Sequence, residues 1–92
     1  MNTDPIATKT AEILAWLERT GRKSALSGSG YIPQWLAAEW LGVSNTTLRR
    51  WEEEGITDPM VFKRLRTGRG HWQVQLTSLA QYDVQAETRG TH

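Results

Sequence analysis

Apolar residues recur along the chain at two spacings, and the changes from one spacing to the other outline its elements. Behind Asp4-Pro5, an N-cap followed by a proline suited to the first helical position, Ile6, Ile13, Leu14 and Leu17 recur at helical spacing. This predicts an amphipathic helix from about Pro5 to Thr20, ended by Gly21, so that residues 1–21 form an extra N-terminal helical unit. The stretch GRKSALSGSG is polar and rich in glycine and serine, which makes residues 22–30 a flexible connector in expectation. Pro33 then opens a second helix with Leu36, Ala37, Trp40 and Leu41 in one stripe and Gln34, Trp35, Ala38 and Glu39 elsewhere. A tryptophan outside a buried stripe needs cover. Trp35 is therefore expected to pack under the N-terminal helix, a neighbouring loop or a second subunit.

The next stretch, LGVSNTTLRRWEEEG, is one short helix punctuated at both ends by Gly42 and Gly55 and capped by Ser44. On a helical wheel Ser44, Leu48 and Trp51 share one side, while Thr46, Arg49, Arg50 and Glu53 lie on the other. One face packs and the other offers hydrogen bonds and charge. A helix that follows another across a Gly42-Val43-Ser44 turn and presents adjacent arginines reads as the second half of a helix-turn-helix, the part that enters a DNA major groove. After the Asp58-Pro59 turn, Trp72, Val74 and Leu76 alternate with His71, Gln73 and Gln75, the period of a half-buried strand. VFKRLR is its expected partner, with residues 67–70 as the connecting turn. Thr77 would cap a last short helix carrying Leu79 and Tyr82, and residues 86–92 read as a disordered tail. The fold class is mainly α with a small β-hairpin, the compact part spanning residues 31–85.

Composition narrows the chemistry. A chain of 92 residues suffices for one small domain with a modest core. It has no cysteine and two histidines, His71 and His92, so neither a disulfide framework nor a metal site is expected. No apolar run approaches a membrane span, Met1 to Pro5 does not read as a signal sequence, and a cytoplasmic, nucleoid-associated protein is the expectation. A net charge of +1 says little, but its distribution says more: Lys63, Arg64, Arg66 and Arg69 lie between Val61 and Gly70 with no acid among them. Alone such a run is a solvated face; beside a helix-turn-helix it becomes a basic hairpin. Enzyme chemistry finds no purchase, since Gly28-Ser29-Gly30 and Gly68-Arg69-Gly70 lack the lysine and hydroxyl of a phosphate-gripping loop. Nor can a nucleophile, base and orienting acid be assembled, and His71 without a partner makes a poor site. No cofactor or small-molecule ligand is inferred.

The run Ala37-Ala38, then Leu41-Gly42-Val43-Ser44, Thr47-Leu48-Arg49-Arg50-Trp51-Glu52 and Gly55, with Arg69 in a following hairpin, suggests a family. From Tyr31 to Tyr82 the chain resembles the winged helix-turn-helix of the MerR superfamily, especially its small excisionase-like and AlpA-like members. The resemblance implies a recognition helix in the major groove. Thr46 and Arg50 would then read base edges, with Arg50 able to reach a guanine in bidentate fashion. Asn45 and Arg49 would make phosphate or mixed contacts, and Ser44 and Glu53 would complete that surface. Glu53 can also accept from a cytosine amino group or repel wrong bases, and Arg49 has a rival partner in Glu53, four residues on. The resemblance further assigns Arg69, with Lys63, Arg64, Arg66 and His71, to a wing on the backbone or in the adjacent minor groove. Trp51 and Trp72 are expected in the core. The long coiled coil and effector domains of full-length MerR activators have no counterpart here, so effector and metal sensing do not transfer. The expected partner is double-stranded DNA, bound as a homodimer or a cooperative array. The roles in view are a transcription regulator, an excisionase-like architectural factor, or the recognition subunit of a phage packaging or plasmid replication apparatus. The rival from another class is a protein-protein interaction adaptor.

Overall fold

Helix α1 spans Pro5–Arg19 in the computed structural model of the chain, which describes residues 4–64 and 72–89. The Asp4 carboxylate accepts the Ile6 N–H at 3.0 Å, and Pro5 stands where its missing N–H costs nothing. At the other end Gly21 takes φ 72°, which lets the Gly21 and Arg22 amides turn back to the carbonyls of Glu18 and Leu17. Residues 22–30, expected as a flexible connector, are instead a folded segment. A single 3-10 turn forms at Lys23–Ala25, and Ala25 and Leu26 pack on the core. Ser27 then grips Tyr31 twice: its N–H donates to the Tyr31 carbonyl at 2.8 Å and its hydroxyl accepts the Tyr31 N–H at 3.1 Å. The apolar pair inside the polar stretch outweighs the glycine and serine around it.

Three short strands form an antiparallel sheet in the order β1-β3-β2. They are β1 (Tyr31–Pro33), β2 (Phe62–Arg64) and β3 (Trp72–Gln75), with helices α2 (Gln34–Leu41) and α3 (Asn45–Glu53) between β1 and β2. The hairpin expected from the alternation is present, with Phe62 opposite Val74, Lys63 opposite Gln73 and Arg64 opposite Trp72. Its connecting turn at residues 67–70 lies outside the described residues. The first strand was not expected; it places Ile32 opposite Val74, and both are fully buried.

Helix α4 (Leu76–Arg89) begins where β3 ends, with the Leu76 N–H held by the Gly30 carbonyl at 2.9 Å. It corrects two expectations. Leu76 opens the helix ahead of Thr77 and is not the last residue of the strand, and residues 86–89, expected in a disordered tail, are helical. The cause is α1, which packs along α4 and supplies tertiary support that a polar sequence lacks alone.

The core collects Ile13 and Leu17 from α1, Leu36, Ala37 and Ala38 from α2, Leu48 from α3, Ile32 and Val74 from the sheet, and Leu79 from α4. Each large side chain removed from water contributes about 1.5 to 3 kcal/mol. Helix α2 touches β1, β3 and α3, so its buried face is wider than the expected stripe and rotated from it. Gln34 and Ala38 are buried, whereas Trp40 and Leu41 are half-buried. Trp35 receives only partial cover: it stays 51% exposed, with the Arg22 guanidinium 5.8 Å from its ring centre. No described helix is long and apolar enough to cross a membrane.

Candidate nucleic-acid interface

Helix α3 owes its place to its two ends. The left-handed Gly42 at φ 75° stops α2, allowing the Val43 N–H to reach the Ala38 carbonyl at 3.0 Å and turning the chain sharply into α3. Ser44 then caps α3, its hydroxyl accepting the Thr47 N–H at 3.0 Å and donating to the Thr47 hydroxyl at 2.8 Å. Ser44 is thus committed to the cap while remaining exposed. At the far end Gly55, at φ 74°, lets the Ile56 N–H close on the Trp51 carbonyl. Between the stops, Leu48 is fully buried and Trp51 packs against the core. Asn45, Thr46, Arg49, Arg50 and Glu53 are all exposed. The polar side of the helical wheel is thus the exposed one.

Its charges are unspent. Arg49 does not take up the intrahelical pair with Glu53, and neither Arg49 nor Arg50 has an ion-pair partner among the described residues. In the hairpin Lys63 and Arg64 are exposed and likewise without a carboxylate. Lys63 instead lies 5.4 Å from the centre of the Tyr31 ring. The remaining wing residues expected from sequence, Arg66, Arg69 and His71, lie outside the described residues.

Two concavities flank α3. One, of about 640 Å³, is walled by Trp40, Leu41, Val43, Trp51 and Tyr82, with Asp83 the one charged residue among the described lining residues. Asp83 accepts the Trp40 indole N–H at 3.0 Å, and the Trp16 ring lies tilted against that of Trp40 with ring centres 5.3 Å apart. The other, of about 400 Å³, joins the end of α3 (Glu52, Gly55) to the hairpin (Phe62, Trp72) through Thr57, Asp58 and Met60. Trp72, expected in the core, is half-buried in the wall of this depression and outside the buried cluster. Sequence periodicity could not separate a strand tryptophan over the core from one past its edge. No cluster of three or more histidines, cysteines or carboxylates capable of holding a metal occurs among the described residues.

Family models, curated proteins and solved structures show no match to this chain. A nine-residue helix, fixed by caps and one buried leucine, projects two arginines without ion-pair partners among the described residues, beside a two-stranded ribbon carrying further cations. Chemically, such a surface offers hydrogen-bond donors and positive charge to an extended anion, and its acceptors and amides, Thr46, Asn45 and Glu53, to polar edges.

Proposed function

We propose that this chain is a small winged helix-turn-helix protein that binds double-stranded DNA sequence-specifically. Helix α3 enters the major groove, and the β2–β3 hairpin serves as a wing on the adjacent backbone or minor groove. The observation that carries the reading is the exposed face of α3, where Arg49 and Arg50 stand without ion-pair partners among the described residues while the opposite face is locked into the core. Exposed cations beside a basic ribbon can take the phosphates of a polyanion as counter-charges, although Glu52, Glu53 and Glu54 offset part of their charge. Arg50 and Thr46 read base edges; Asn45 and Arg49 hold phosphates or mix the two roles. A module of this size binds as a homodimer or in a cooperative array, and it serves as a transcription regulator, an excisionase-like architectural factor, or the recognition subunit of a packaging or replication apparatus.

Selection from a randomised duplex pool at near-physiological salt, with wild type and Arg50→Ala, tests this. The expected result is an enriched motif that the substitution relaxes at one or two positions, corresponding to about 1 to 3 kcal/mol of discrimination. No retention of duplex at low salt would sink the reading. The second reading, a protein-protein adaptor, is favoured by the aromatic groove between α2, α3 and α4. Salt separates the two, because binding through several phosphates weakens steeply as salt rises and an apolar contact does not.

A further inference from the structure

The hairpin's cations are not equivalent. Antiparallel pairing sets Phe62 opposite Val74 and Arg64 opposite Trp72, so these four side chains share one face of the sheet. That face holds the fully buried Ile32 and Val74 and is the side on which the helices lie. Its outer end, beyond the core, turns toward α3, since Phe62 and Trp72 wall the depression whose opposite side is Glu52 and Gly55. Lys63 has the opposite parity. It shares the outer face with Tyr31, Gln73 and Gln75, and its ammonium lies over the Tyr31 ring, back across the sheet toward β1.

We infer that the DNA-facing surface of the hairpin is its helix-facing side, with Arg64 as the phosphate-holding cation, and that Lys63 and the outer face of the sheet stand off the duplex. This rests on the proposed DNA-binding function and sharpens it. A duplex, with a persistence length of about 150 base pairs, is stiff over the length of such a site, and a strand engaged by α3 meets the side of the hairpin turned toward α3. The opposing consideration is electrostatic. Glu52 and Asp58 line the depression on the helix-facing side, whereas Tyr31, Gln73 and Gln75 bring no acid to the outer face. Charge alone would favour Lys63, so geometry and charge select different cations.

Binding of the full chain to a short fluorescein-labelled duplex of arbitrary sequence, titrated across salt, decides between them. Both positions are exposed, so neither substitution removes a core contact. Arg64→Ala is expected to weaken binding several-fold and to flatten the slope of log affinity against log salt by about one, and Arg64→Lys to restore the slope. Lys63→Ala is expected to leave both unchanged. A flattened slope with Lys63→Ala, or none with Arg64→Ala, overturns the inference and leaves DNA binding standing. Absence of salt-sensitive duplex binding by the wild type overturns the DNA-binding reading and this inference with it.

Discussion

The two sides of the molecule use charge in opposite ways. On the side built by α1, α4 and the segment after α1, Lys9, Arg22 and Lys23 pair with carboxylates, while Arg19 is exposed without an ion-pair partner among the described residues. Lys9 reaches Glu87 at 2.8 Å, Glu12 at 3.5 Å and Asp83 at 3.9 Å, while Arg22 pairs with Glu39 and Lys23 with Glu18. The hydrogen bond to Glu87, helped by the nearby charges of Asp83, Glu87 and Glu12, raises the Lys9 ammonium above the ordinary lysine range against the opposing effect of burial. On the α3 and hairpin side, Arg49, Arg50, Lys63 and Arg64 have no such partners among the described residues. The same residue types thus hold helices together in one region and face outward in the other. Unpaired charge gathered on one side of a small domain points to an external partner, whereas a count of charges over the whole chain hides it.

Substitutions can break this contrast. The largest effect belongs to the interior of the paired side. Leu17 is fully buried, and Leu17→Ala is expected to lower unfolding free energy by about 2 to 5 kcal/mol in urea titration. An unchanged midpoint would mean that α1 is an appendage and not part of the core. Lys9→Met should cost only a few tenths of a kcal/mol, because Glu87 is half exposed and solvent screens the pair. Its pH signature is more telling. A raised folded-state value means that the lysine's contribution is complete below the ordinary lysine range and is lost as pH rises through the folded-state value. Wild type and Lys9→Met should therefore differ by a constant amount at neutral pH and converge in alkali; a gap that persists at high pH would sink the assignment to the lysine's charge. The smallest effect is expected on the outward side. Arg49→Ala and Arg50→Ala should each leave stability within about 0.5 kcal/mol, so that any loss of DNA affinity is a loss of contact. A thermal shift beyond that would reveal a structural role for these arginines and erase the contrast.

Much of the local framework is legible in the sequence because it is written in punctuation. Asp4-Pro5, Gly21, Gly42, Ser44 and Gly55 each have a specific backbone task, and each performs it. The hairpin pairing follows from alternation at Trp72 and Val74. What could not be read depends on contacts distant in sequence. Three residues, Tyr31–Pro33, are too few to display a strand period, and β1 exists because β3 offers it an edge. The last turns of α4 exist because α1 lies along them. The exposed residue types of α3 were readable, but the Arg49–Glu53 pair was open either way, since intrahelical pairs are worth only a few tenths of a kcal/mol. Parity alone puts Lys63 and Arg64 on opposite faces. Only the tertiary fold says which of those faces meets the helices.

The continuous run from β3 into α4 makes the two sides one mechanical part. Between Gln75 and Leu76 no loop intervenes, and the junction is braced on both flanks, by the Leu76 N–H on the Gly30 carbonyl and by Ser78, whose hydroxyl accepts the Val61 N–H at 2.9 Å and donates to the Gln75 carbonyl at 2.8 Å. Strand β3 and the Glu87 that pairs with Lys9 therefore lie on one stretch of backbone with no loop between them.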